Sequence, residues 1–132
     1  MIHVPGARPD AAAVRRPTFS GEAWLVPTLP GVDGTTIATV TFTPCARTFW
    51  HSHEHGQVLQ IVAGSGYVCT RGETPVRLVA GDTVWVPPGE QHWHGAGADT
   101  VLVHTAISLG STTWLEEVTE AEYRTTPVEE KR

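Results

Sequence analysis

The stretch Trp50-His51-Ser52-His53-Glu54-His55-Gly56-Gln57 gathers three imidazoles and a carboxamide into a few residues. Residues two apart on an extended strand share a face, so His51 and His53 can point at one ion without a helix to arrange them. Neutral imidazole nitrogen suits zinc, copper, iron or nickel, and an oxygen from Gln57 widens the choice toward manganese. A solvated loop or an expression remnant is the bland alternative, and context has to decide between them.

Context comes from Gly81-Asp82-Thr83-Val84-Trp85-Val86-Pro87-Pro88-Gly89-Glu90-Gln91-His92-Trp93-His94. A turn signal opens it, a β-branched and aromatic run follows, and the prolines end the ladder because proline has no N–H to donate. His92 and His94 then share a face. Together the two stretches resemble the cupin superfamily. Its first motif (Gly, five residues, His-x-His, three or four residues, Glu, six residues, Gly) is met by Cys45, His51, His53, Gln57 and Gly64. Its second (Gly, five residues, Pro-x-Gly, two residues, His, three residues, Asn) is met by Gly81, Pro87, Gly89 and His92, with Ala96 at the Asn place. The spacing is complete; the departures are Cys45, Gln57 and Ala96.

The resemblance implies an all-β, single-domain cupin barrel (a double-stranded β-helix or jelly roll) and metal ligands at His51, His53, Gln57 and His92. It narrows to small bacterial cupins that include manganese-dependent hydroxynitrile lyases, through Ala46-Arg47-Thr48-Phe49-Trp50-His51-x-His53-x-x-Gly56-Gln57, Pro88-Gly89-Glu90-x-His92-Trp93-His94-Gly95-Ala96 and Trp114-Leu115-Glu116-x-Val118-Thr119. It covers nearly all of the chain after about residue 19. In that group a Gln already takes the acidic ligand's place. The implied cofactor is a divalent metal ion, manganese first, with iron, nickel or zinc as alternatives. The resemblance also implies His94 and His104 as catalytic residues lining a substrate pocket, where one of them takes or gives the proton of a cyanohydrin hydroxyl. Ala38 matches a small pocket residue, and Ser108 stands where the group's lyases carry Gln. Trp50, Trp85 and Trp93 read as barrel packing, with Trp50 also counted among the pocket residues, since an aromatic wall beside a metal would favour an aromatic or aliphatic substrate; His55, apolar in the relatives, is expected to lie at the surface.

Three imidazoles and an amide are neutral donors, so a metal among them keeps its full positive charge and attracts cyanide, an enolate or hydroxide at an open position. A structural zinc site is closed and usually includes Cys, which sets a catalytic or substrate-binding ion ahead of a structural one. This ligand set and the resemblance together imply a metal-dependent enzyme acting on a small carbonyl-type substrate, with hydroxynitrile lyase-like C–C cleavage or formation as its concrete form. A dioxygenase-type cupin and a non-enzymatic binding module are the alternatives.

Composition agrees with one small domain. The chain has 132 residues, 13 Gly and 10 Pro with 40% hydrophobic residues, a turn-rich balance that favours many short strands over a helical bundle. Net charge is -5 and no basic run accompanies aromatic residues, so nucleic acid is not an expected partner. Only 2 Cys are present, without a C-x-x-C, so reduced, buried thiols are expected. Neither a signal-peptide core nor a membrane-length apolar run is seen, and a cytoplasmic location is expected by elimination. A small-molecule substrate and a homodimer or higher homo-oligomer, paired through exposed sheet edges, are the expected partners.

Along the chain, residues 1–17 read as a flexible arm, 18–126 as the barrel with a short C-terminal helix, and 127–132 as a frayed tail. Strands are expected at Glu22 to Val26, Thr35 to Thr43, Gln57 to Ala63, Tyr67 to Thr70, Val76 to Val79, Thr83 to Val86 and Thr100 to Ile107. Pro27 to Gly34 reads as a loop and Gly64-Ser65-Gly66 as a tight turn. Thr119-Glu120-Ala121-Glu122 has the pattern of a capping box, with Val118 and Tyr123 set for a hydrophobic staple.

Overall fold

The computed structural model describes residues 1–6 and 15–125. The expected frayed tail and residues 7–14 of the expected arm lie outside them. Among the described residues there are eleven strands, β1 Phe19–Ser20, β2 Ala23–Val32, β3 Thr35–Phe42, β4 Arg47–Thr48, β5 His51–His53, β6 Gln57–Thr70, β7 Val76–Val79, β8 Thr83–Val86, β9 His92–Ala96, β10 Leu102–Leu109 and β11 Thr112–Trp114, followed by one helix, α1 Glu120–Tyr123. All pairings are antiparallel. The long strand β6 belongs to two layers. Its first half pairs with β8 and β10, which continues through β3 to β2; its second half pairs with β7 and β9, which continues through β4 to β1. The β5–β11 pair joins β9 at His51, opposite His92.

Strand alternation places the core between the layers. Val40 and Phe42 of β3, Leu59 and Ile61 of β6, and Leu102 and Ala106 of β10 are buried in one cluster with Val68, Leu78 and Ala96 from the other layer. Their sequence neighbours point outward, as period-2 geometry requires. A second cluster, Trp50, Cys69, Trp93, Val118 and Tyr123, lies outside the β9 layer, where the C-terminal segment folds back over it. The Tyr123 hydroxyl donates to the Ala96 carbonyl (2.7 Å), and Arg47, 5% exposed, donates to the carbonyls of Val118 and Cys45 while its guanidinium lies over the Tyr123 ring. The capping box on Thr119 and Glu122 is present, and both staple residues are buried.

Three local expectations change. Gly64-Ser65-Gly66 is not a hairpin turn: β6 runs through it unbroken, and the glycines mark where the strand crosses between layers. A Cβ on Gly64 would collide with the Val101 carbonyl oxygen, and one on Gly66 with that of Gly95; Gly64 also has φ +76°. Close backbone approach, not chain reversal, is what requires glycine there. Pro27 to Gly34 is strand as far as Val32, because β2 accommodates its prolines at an edge and in irregularities between Pro27 and Leu29 and between Leu29 and Val32. Only Asp33-Gly34 turns, with φ 50° and 77°, as a two-residue hairpin demands. Of the cysteines Cys69 is buried, but Cys45 is exposed and sits at φ 69° where the family pattern has glycine.

Gly64→Ala is expected to cost more than about 3 kcal/mol, since both the left-handed backbone and the collision with a strand carbonyl oppose it. Urea unfolding measures it, as a lower midpoint at unchanged slope. A loss below about 1 kcal/mol would show that the crossover tolerates a side chain.

Candidate metal centre

Five buried histidines and one glutamine converge at one end of the space between the layers. β5 supplies His51 and His53, β9 supplies His92 and His94, β6 begins with Gln57, and β10 supplies His104. Because β5 pairs with β9 in a register that sets His51 opposite His92, the imidazoles two apart on each strand face the same interior. The ring centroids of His51 and His92 are 4.2 Å apart. Ligand atoms of His51, His53 and His92 all lie within 4.8 Å of one another.

Hydrogen bonds fix which nitrogen each ring turns inward. His51 Nδ1 lies 2.8 Å from the Phe49 carbonyl and His92 Nδ1 2.9 Å from the Glu90 carbonyl. A carbonyl only accepts, so both Nδ1 atoms carry the proton and both Nε2 atoms present a lone pair. His53 Nδ1 is 3.0 Å from Thr112 Oγ1, leaving a buried Nε2 without a partner. The Gln57 amide donates from Nε2 to Ser108 Oγ (3.0 Å), which turns Oε1 toward His92 Nε2, also 3.0 Å away.

That last contact sets two lone pairs against each other. Neither atom has a proton to give, so the pair is repulsive until a cation lies within reach of both. The donor set thus fits a divalent metal: three neutral imidazole nitrogens and an amide oxygen, each oriented by a hydrogen bond behind it.

Burial keeps these rings unprotonated. Desolvation, then the neighbouring His92, hold His51 well below its ordinary range and lower His53 to about 4. His92 is lowered by desolvation, partly offset by its bond to the Glu90 carbonyl. Metal ligands must be deprotonated, so the fold presents the cluster in its binding form at neutral pH.

A cavity of about 360 Å³ opens onto this cluster. Ala38, Val40, Leu25 and Ala106 give it an apolar wall, and His51, His53, Gln57, His94 and Ser108 give it a polar floor. The two expected catalytic histidines divide here. His94 lines the cavity, whereas His104 does not: it is fully buried behind His94, against Phe42, with its Nε2 2.8 Å from His94 Nδ1. Desolvation, then His104, lower His94 well below the ordinary range, and desolvation lowers His104 to about 4. His94 Nε2 and His104 Nδ1 are buried with no partner.

Trp50 is not on the cavity. It precedes His51 on the chain, so when His51 faces inward Trp50 faces out, into the second core cluster. The aromatic wall is Trp114 instead, its ring tilted 31° over His51 at 4.5 Å, with Phe19 nearby. Arg16 and Pro17 also line the cavity, so the end of the expected arm belongs to the site. Sequence reading missed Thr112 and Trp114 because β11 is too short for alternation to show. His55 is exposed.

His104 makes stability depend on pH. Its folded value of about 4 lies below the unfolded 6.5, so the unfolded chain binds the extra proton between them. Stability is full above the unfolded value and falls by about 1.4 kcal/mol per pH unit for this residue as pH drops from 6.5 to 4. His104→Phe is expected to flatten the pH dependence of urea unfolding over that window by about that slope. An unchanged slope would show that His104 is already protonated in the fold.

Residues 38–107 match the cupin domain family, Cupin_2. The chain is a cupin. It is 39% identical over 112 residues to an (R)-mandelonitrile lyase of Granulicella tundricola, covering 80% of this chain and 86% of that one. A cupin-like protein of Thermotoga maritima superposes with TM-score 0.82 at 40% identity, covering 88% of this cupin and 92% of that chain. The polyketide cyclase RemF of Streptomyces resistomycificus gives TM-score 0.72 at 19% identity, covering 93% and 92%, a likeness of fold alone. Among the described residues no helix is long and apolar enough to cross a membrane.

Proposed function

We propose that this cupin is a metal-dependent lyase that cleaves and forms cyanohydrins of small aromatic or aliphatic aldehydes. The observation that carries this is the 39% identity to an (R)-mandelonitrile lyase, on a chain whose polar floor and apolar cavity fit such a substrate. His51, His53, Gln57 and His92 hold a divalent ion, manganese first. When bound, that ion supplies positive charge toward the nitrile and the departing cyanide.

The chain's own residues do the rest. Val40, Ala38 and Trp114 hold the aldehyde's hydrocarbon part away from water, in a cavity near the small end of ligand pockets. His94 Nε2 takes the hydroxyl proton; the oxygen's electrons form the carbonyl, and the C–C bond breaks with its pair on the nitrile carbon. The same proton then passes from His94 to cyanide, releasing HCN and aldehyde, and synthesis is the reverse. His104 acts through His94, holding its Nδ1 and sharing the proton between the two rings. Ser108 positions the Gln57 amide.

Metal-loaded protein is expected to release benzaldehyde from mandelonitrile and to make mandelonitrile from benzaldehyde and cyanide. Protein that holds the metal yet does neither removes the assignment. Turnover of a carbonyl compound only with oxygen consumption would move the site to oxygenase chemistry.

A further inference from the structure

The cavity runs from a buried floor to an exposed rim. His51, His53, Gln57 and His94 at its floor are each 3% exposed or less, whereas Trp114 is 41% exposed and Arg16 and Pro17 are exposed too. Apolar side chains of β2, β3 and β10 line the wall between the two ends. Among the described residues that line the cavity, Arg16 is the one with a charged side chain, because burial holds His51, His53 and His94 neutral. No Asp or Glu lies on the wall to offset it.

The two arginines in sequence there have different surroundings. Arg15 lies 2.6 Å from Glu22 and is not on the cavity. Arg16 is on the cavity, and among the described residues its guanidinium meets no carboxylate. The segment that carries it is tied down on both sides. The Arg16 carbonyl accepts from the Phe19 N–H (3.3 Å), Pro17 restricts the backbone of Arg16, and Phe19 pairs with Thr48 of β4. A chain of net charge -5 repels anions on average, so this rim is a local exception to its field.

We propose that the cavity selects carbonyl compounds whose far end carries a carboxylate, held at the rim by Arg16 while the carbonyl lies at the floor. The planar guanidinium presents paired N–H donors that match the two oxygens of a carboxylate. A single arginine balances a monoanion; a phosphate monoester carries nearly two charges and would be left half neutralised. The apolar wall fits a short hydrocarbon between the two polar ends. The inference rests on the proposed reaction for the orientation of the carbonyl, and on Arg16 for the class of ligand.

Calorimetric titration of metal-loaded protein with 4-formylbenzoate, and separately with its neutral methyl ester, tests it. Without cyanide no C–C bond can form, so the titration reads binding alone. The wild type is expected to bind the carboxylate about tenfold more tightly than the ester, the low end for a charge-assisted pair at an exposed position. That ratio should shrink in about 1 M sodium chloride, where the screening length is about 3 Å. Arg16→Gln should bring it near one and Arg16→Glu should invert it, while Arg15→Gln should keep the wild-type ratio. A protein that shows this pattern yet cleaves no mandelonitrile keeps the ligand class and loses the reaction. Equal binding of the two probes by the wild type, binding of neither, or a preference that survives both Arg16 substitutions and so places the carboxylate on the metal, overturns the proposal.

Discussion

His92→Ala is expected to strip the protein of metal and of activity together. The imidazole offers a fixed lone pair because the Glu90 carbonyl holds its other nitrogen, and it faces the Gln57 oxygen across 3.0 Å. Removing it takes one of four donors and leaves Gln57 Oε1 without the opposing ligand. Loss of groups that merely orient ligands costs about 10–100-fold in metal affinity, so loss of a ligand should exceed about 100-fold. Elemental analysis after gel filtration reads it directly. Gln57→Glu separates charge from geometry at the same site. A carboxylate adds a formal negative charge, so that variant should hold a divalent ion more tightly and yet turn over more slowly, because the site attracts cyanide less. Higher affinity with unchanged or faster turnover would show that the amide's neutrality does not matter to the reaction.

His94→Gln is expected to lower kcat by about 100-fold to 10,000-fold, the usual contribution of a positioned acid–base group, while metal content stays at the wild-type level. Glutamine can still meet His104 through its amide, so the core is kept and only the proton-accepting nitrogen is lost. His94 suits the role by position: its Nε2 is buried with no partner, and the ring lines the cavity. His104 touches the cavity only through His94, and its replacement should be milder and should alter the pH profile of kcat rather than substrate affinity. Loss of metal from His94→Gln would move His94 into the ligand set instead.

Much of this was legible in sequence for a physical reason: imidazoles at spacing two on a strand must share a face, and two such pairs at family spacing specify one interior. The four histidines of those pairs gather on β5 and β9 as that geometry requires, and His104 joins them singly from β10. What escaped depended on contacts distant along the chain. Gly64-Ser65-Gly66 has the local signature of a hairpin, and only the carbonyls of Val101 and Gly95, supplied by β9 and the segment before β10, reveal it as a crossover. The exclusion of Trp50 from the cavity was available from parity with His51, but an aromatic residue beside a metal motif suggested a wall. Trp114 and Thr112 sit on a strand of three residues, too short for any period to appear. Arg47, buried under Tyr123, looks in sequence like an ordinary surface charge; its place is set by the C-terminal segment that closes over it.

The most direct test of the central claim is the rate of benzaldehyde release from mandelonitrile by manganese-loaded protein under nitrogen, beside the same protein stripped by a chelator. The account predicts turnover that needs the metal, is indifferent to oxygen and returns when manganese is restored. Equal rates with and without metal, or no release from protein shown to be fully loaded, would contradict it.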